Sequence, residues 1–272
     1  RCRRAGGVTA AIAIKLDAMV STTKRLLQRS GVLISLLVAL PSFAGQVQVA
    51  VAANFAEPIK AIAAVLEKTT GHQVQVTVGA TGKLYAQIKN GAPFDVLLAA
   101  DTKTPEALEK EGHALPGSRF TYATGKLVLW SADARKVDAK GEVLKSAGLR
   151  KVAYASPKVA PYGAAAVEAM DRLGLTASLA PKLVQGESIG QAFSFVYTGN
   201  AEVGFVALSQ VLEGGRLKSG SMWVVPKSLY SPIRQDAVVL QHAAGNEAAQ
   251  ALIRLLKSPN IKDLIRSYGY DI

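Results

Sequence analysis

The sequence predicts an α/β protein of two lobes, each a mainly parallel sheet flanked by helices. Three observations predict it. Strand-like and helix-like stretches alternate three times between Gln46 and Lys110, the pattern of parallel strands joined by covering helices. Strands such as Val203–Val206 are apolar on both sides, as in a sheet covered on both faces. Finally, the alternation starts afresh after Tyr122–Trp130, a long strand without a turn signal at its start that is read as the crossing into a second lobe, and Ala237–Leu240 leads back. The expected division is residues 45–124 plus 232–272 for the first lobe and 125–231 for the second. With 272 residues, 49 % of them hydrophobic, the chain is long enough to fill two cores.

In chain order, Gln46–Ala52 alternates polar and apolar residues and then turns wholly apolar, as a strand does on entering a covered sheet. Asn54 follows, with Glu57 three residues on in capping-box spacing, and Pro58 falls in a first helical turn, where its missing N–H is not needed. This helix ends near Thr69-Thr70-Gly71. His72–Val78 is the second strand, and Gly79-Ala80-Thr81-Gly82 turns into a helix over Lys83–Lys89, closed by Asn90-Gly91. Phe94–Ala99 is the third strand, and Thr104-Pro105-Glu106 opens another helix. Beyond the crossing, Lys151–Ala155 is a strand, and Ala160-Pro161-Tyr162-Gly163 leads into the helix Ala164–Leu173. Leu183–Gln185 is a short strand before Gly186-Glu187-Ser188-Ile189-Gly190 and the helix Gln191–Tyr197. Val203–Val206, a Gly214-Gly215 turn and Met222–Val225 complete the second lobe, and Asn246–Lys257 and Ile261–Tyr268 are terminal helices.

Residues 19–44 read as a secretory signal. Met19 is the first methionine, Lys24, Arg25 and Arg29 are basic, Gly31–Leu40 is a short apolar core, and Ser42-Phe43-Ala44 follows Pro41 as a small-x-small cleavage pattern. The expectation is an exported, periplasmic protein beginning at Gly45, with residues 1–18 an upstream segment. The single cysteine, Cys2, precedes that leader, which leaves no disulfide, thiol nucleophile or lipid-anchor cysteine after it. Of the formal charge of +12, seven Lys/Arg and one Asp belong to residues 1–44, leaving 25 basic against 19 acidic residues. No Lys/Arg cluster interleaves with aromatics, which argues against nucleic acid, and a mild positive field suits capture of a small anion or serves solubility alone.

Two motifs invite enzymatic readings. Gly79-Ala80-Thr81-Gly82-Lys83 lacks the first glycine of a phosphate loop, with Thr77 in its place, and has Leu84 where Ser or Thr is required. Gly186-Glu187-Ser188-Ile189-Gly190 matches a G-x-S-x-G elbow, and Asp236 and His242 follow in hydrolase order. Asp236 and His242 bracket one strand, however, and Ser188 is also a good helix cap. His72, His113 and His242 show no paired metal-ligand spacing.

A recurrence is more informative. Four strand-to-helix junctions, at Asn54, Thr81, Tyr162 and Ile189, fall two in each lobe. Each presents unpaired backbone N–H groups and the positive end of a helix dipole, a setting for an anion, or simply a capped helix.

The runs AVAANF, GATGKLYAQIKNGAPFDVLLAADTKTPEALEKEG, ALPGSRFTYATGKLVLWS, SPKVAPYGAAA and VGFVALSQV resemble the periplasmic molybdate-binding proteins of ATP-driven (ABC-type) molybdate importers, and the likeness extends over residues 46–272. The resemblance implies a two-lobed class II solute-binding fold that holds molybdate, and tungstate nearly as well, between its lobes and delivers it to a membrane permease. It implies a monomer, no cofactor, and molybdenum only as the bound oxyanion. Matched position by position, the ligand residues fall on Asn54 with Ala53 beside it, Thr81, Tyr162 and Ile189. Enterobacterial members place a tyrosine hydroxyl after the strand matching Gly204-Phe205-Val206, where this chain has Ala207; Tyr162 resembles the other branch of the family, donating through its hydroxyl, its backbone N–H or both. Phe205–Ser209 is then wall. The alternatives are a receptor for sulfate or another tetrahedral oxyanion, and a serine hydrolase using Ser188.

Overall fold

The computed structural model describes residues 44–272, so the readings placed on residues 1–18 and, but for Ala44, on the leader lie outside the described residues. The first lobe is built on β1 (Gln46–Ala52), a short 3-10 turn (Ala53–Phe55), α1 (Ala56–Thr70), β2 (Gln73–Gly79), α2 (Thr81–Lys89), β3 (Val96–Leu98), α3 (Lys103–Lys110) and β4 (Phe120–Gly125). The second contains β5 (Leu127–Ser131), β6 (Val152–Ala155), α4 (Pro161–Arg172), α5 (Thr176–Leu179), β7 (Leu183–Gly186), α6 (Ile189–Tyr197), β8 (Val203–Ala207), α7 (Leu208–Val211), the small hairpin β9 (Leu212–Glu213) and β10 (Arg216–Leu217), and β11 (Ser221–Val224). The chain closes with β12 (Ile233–Val239), α8 (Glu247–Lys257) and α9 (Pro259–Ser267).

The strands form two five-stranded sheets, β2-β1-β3-β12-β4 and β11-β5-β8-β6-β7. In each, four strands share one direction and the reversed strand is the one that has come over from the other sheet. β12 is antiparallel to β3 and β4, and β5 is antiparallel to β8 and β11. The sheets are therefore mainly parallel, with one reversed strand apiece.

The expected long strand Tyr122–Trp130 is a correction. It is two strands, β4 and β5, in different sheets, joined at Lys126. Both halves are strand-like and Gly125 is the one break at the join, which is why the periodicity runs through it. Gly125, expected at the start of the second lobe, ends β4 in the first sheet.

Alternation along β1 has a direct packing cause. Val47, Val49 and Val51 enter one core with Ile59, Ile62 and Leu66 of α1 and Leu252 and Leu256 of α8. Ala50 faces the opposite core, with Leu84 and Ile88 of α2 and Leu108 of α3. Each of these side chains is almost wholly removed from water, worth about 1.5–3 kcal/mol for a full-sized aliphatic group. The α1 helix stops because Gly71 takes a left-handed conformation (φ 75°) and returns its N–H to the Glu67 carbonyl at 2.8 Å. In the second lobe, β5 and β8 are buried along their whole length.

Register levels the strand ends. β1 and β2 pair from Gln46↔Gln73 to Ala52↔Gly79, and β6 and β7 from Val152↔Leu183 to Ala155↔Gly186. Neighbouring strands in each sheet thus reach their carboxyl ends side by side and turn into helices at the same level, the place where open α/β sheets hold ligands.

Candidate functional site

The four junctions meet. Ala53, Asn54, Thr81, Tyr162 and Ile189, expected from the sequence, line one pocket together with the alanines that cap the strands, and none of its lining residues is charged. It is much smaller than the clefts on either side, with which it shares Ala53 on one flank and Ala100, Ala160 and Pro161 on the other.

Each junction supplies its donors for a local reason. Asn54 lies in the 3-10 turn, and its side chain caps nothing; α1 begins two residues later at Ala56, which corrects the capping-box spacing read at Asn54 and Glu57. Thr81 is the first residue of α2 after the extended Ala80. Its Oγ1 accepts a hydrogen bond from the Ala100 N–H at 3.0 Å, so its own hydrogen remains to be given. Tyr162 is the second residue of α4, after Pro161, which has no N–H to spare. Ile189 opens α6, whose N-cap is Ser188; the Ser188 Oγ accepts from the Gln191 N–H at 3.2 Å. The first amides of these helices have no partner within their own helix. The pocket therefore offers hydrogen-bond donors and helix-dipole positive ends, with no carboxylate facing them.

The other parts of the hydrolase reading are engaged elsewhere. Asp236 accepts from Arg119 at 2.9 Å and from Thr121 at 2.6 Å, and His242 Nδ1 lies 3.1 Å from Asp95. Among the described residues no group of three or more His, Cys, Asp or Glu is arranged to hold a metal ion.

Beneath the pocket lies a buried polar network that sequence reasoning missed. Asn54 Nδ2 donates to Gln235 Oε1 (2.8 Å) and Tyr270 Oη (2.9 Å). Tyr122 Oη lies 3.0 Å from both Gln235 Oε1 and the Ala99 carbonyl, and Gln235 Nε2 donates to the Tyr162 hydroxyl at 3.1 Å. The Asn54 carbonyl accepts from Ser209 and Tyr270, each at 2.8 Å. Burial pushes the Tyr162 and Tyr122 hydroxyls well above their ordinary range and raises that of Tyr270, so all three remain neutral. The only local signal for this network was Arg234-Gln235-Asp236, a polar run in a strand that is otherwise apolar. Ser209, expected as wall, touches the site through the Asn54 backbone. Among the described residues, Asn54 Oδ1 is the one buried side-chain polar atom without a partner, a cost of about 1–3 kcal/mol.

The lobes are tied across the cleft. Gly82 N–H donates to the Val159 carbonyl at 2.9 Å, and Lys83 pairs with Glu187. A side chain at Gly82 would press on the Val159 backbone, at 3.1 Å from its Cα, so glycine permits this approach.

Two like sheets, linked by crossing strands and closed over an uncharged pocket at their helix starts, define the class of two-lobed solute-binding proteins. The chain belongs to the bacterial extracellular solute-binding protein family, whose profile matches residues 47–271. It is 57 % identical over 236 residues to the molybdate-binding protein ModA of Azotobacter vinelandii, spanning 87 % of this chain and 94 % of that protein. To the molybdate-binding protein ModA of Rhodobacter capsulatus it is 55 % identical over 232 residues, 85 % of this chain and 90 % of the relative. The solved structure of the Azotobacter vinelandii periplasmic molybdate-binding protein matches with a TM-score of 0.81 at 42 % identity, covering 83 % of this chain and 99 % of that one.

Proposed function

We propose that this chain captures molybdate in the periplasm, binds tungstate nearly as well, and passes the anion to the permease of an ABC importer, acting as a monomer without catalysis. One observation carries the reading: the five positions matched to ligand residues line a single pocket whose side chains bear no charge. Molybdate is a full dianion at neutral pH with no proton to offer, so its site needs donors and is harmed by acceptors. The Thr81 hydroxyl and the unpaired amides at the starts of α2, α4 and α6 are such donors. A hydrogen bond to a charged group contributes about 1.5–3 kcal/mol, so several of them offset dehydration of the ion without a buried Lys or Arg.

The lobe contacts at Gly82–Val159 and Lys83–Glu187 close the cleft over the ion. Sulfate has the same charge and shape and is smaller, so discrimination rests on cavity size. Titration calorimetry on the purified chain tests the reading. Molybdate and tungstate bind far more tightly than sulfate or phosphate; equal binding of sulfate overturns the assignment in favour of a general tetrahedral-oxyanion receptor.

A further inference from the structure

The network beneath the pocket bears on how its donors are aimed, an inference that rests on the oxyanion reading above. Asn54 gives both Nδ2 hydrogens to Gln235 and Tyr270, and the side-chain atom left over on this pocket-lining residue is an acceptor, Oδ1, with no partner among the described residues. Tyr122 has one hydrogen and two acceptors at 3.0 Å, Gln235 Oε1 and the Ala99 carbonyl. The hydroxyl of Tyr162 receives the Gln235 hydrogen at 3.1 Å and lies beside that of Tyr270.

The oxygen and nitrogen of a side-chain amide exchange places when the group turns by half a revolution, so the amides of Asn54 and Gln235 reverse together without displacing any neighbour. That reversal resolves the mismatches at Asn54 Oδ1 and Tyr122 and gives up the Tyr270 bond to the Asn54 carbonyl. Gln235 Nε2 donates to Asn54 Oδ1 and to the Tyr122 oxygen, and Tyr122 gives its single hydrogen to Ala99. Tyr162 donates to Gln235 Oε1. Tyr270 donates to Asn54 Oδ1, while Ser209 keeps the Asn54 carbonyl. The groups left without a protein partner are now the two N–H bonds of Asn54. An orphaned acceptor has become a pair of free donors on a residue of the pocket.

We infer that Gln235 is a positioning residue for oxyanion binding: in the loaded protein it donates from Nε2 to Asn54 Oδ1 and so holds the Asn54 amide nitrogen for the bound ion. Its place supports the role. Gln235 is wholly buried, sits on the strand that returns from the second lobe, and borders a β-bulge, a device that re-aims side chains. It bridges Asn54 and Tyr122 of the first lobe to Tyr162 of the second, so the same amide that aims Asn54 also reports that the lobes are together.

Neutron diffraction on deuterium-exchanged crystals of the full chain with molybdate reads the orientation directly. The expected result is two deuterons on the Asn54 side-chain atom turned away from Gln235 and two on the Gln235 atom facing Asn54; deuterons on the Asn54 atom that faces Gln235 overturn the proposal. In solution, Gln235→Met keeps the bulk and removes the donor. Its molybdate dissociation constant is expected to rise ~10-fold or more, the effect of losing aim on a bond to a charged group. Wild-type affinity in a folded Gln235→Met protein overturns the relay while leaving the oxyanion reading intact. Failure of the unaltered chain to bind molybdate sinks that reading instead.

Discussion

Thr81→Val separates two duties of one hydroxyl. Thr81 is 1 % exposed, its Oγ1 accepts the Ala100 N–H at 3.0 Å, and its own hydrogen is given to no acceptor among the described residues. Valine keeps the shape and removes both functions. The Ala100 amide, itself buried, loses its acceptor, which costs about 1–3 kcal/mol of stability. At roughly 2–4 °C per kcal/mol for a chain of this size, Tm falls by ~2–12 °C. The bound oxyanion loses a donor as well, about 1.5–3 kcal/mol, or ~10–150-fold in Kd. Thermal unfolding without ligand and calorimetry with molybdate read the two effects independently, and Thr81→Ser restores both. A lowered Tm with wild-type affinity would refute the reasoning, because Thr81 would then serve Ala100 alone.

Three further outcomes are expected. A Cβ at Gly125 would collide with the Tyr162 hydroxyl and stand 2.6 Å from Gln235 Nε2, so Gly125→Ala should cost about 1–3 kcal/mol in strain and weaken molybdate binding at least ~10-fold; wild-type Tm and affinity would contradict the packing described here. Ser188→Ala removes the cap of α6 and should lower stability by about 0.5–2 kcal/mol while leaving molybdate affinity within a few-fold; ester turnover that disappears in this variant would restore the hydrolase. Lys126 and Lys227, each bonded to Asp271 at 2.7 Å, hold its carboxyl below the usual range. A depressed folded-state pKa means stability that is present above the unfolded value and lost as pH falls through the folded one. On acidification from about pH 5 toward 3 the wild type should therefore lose more Tm than Asp271→Asn, by no more than the ~1 kcal/mol of a part-exposed pair; parallel curves would remove Asp271 from the account.

The junctions were legible because their punctuation is local. Pro58, Pro161, Ser188 and the Gly79–Gly82 turn mark helix starts within a few residues of each strand end, and β1 falls on Gln46–Ala52 as read. Grouping Asn54, Thr81, Tyr162 and Ile189 needed the family resemblance, since nothing in their spacing says that their helices start around one pocket. The join at Lys126 was illegible because a single residue after Gly125 carries the chain from sheet to sheet, and a lone glycine inside a strand pattern does not by itself mark a crossing. The network was illegible for another reason: Asn54 meets Gln235 and Tyr270 across 181 and 216 positions. Such partners leave no periodicity, and a buried glutamine on an apolar strand signals only that a partner exists.

The reversed strand in each sheet has a consequence for biogenesis. β12 lies between β3 and β4, so the first sheet has a gap in its middle until residues 126–232 have been made and returned. The amino-terminal lobe, although begun first, cannot lock before the carboxyl-terminal segment arrives, and its completion carries the entropy of closing that long excursion. A chain built this way stays unfinished for most of its synthesis, and becomes rigid only once its last strand is in place.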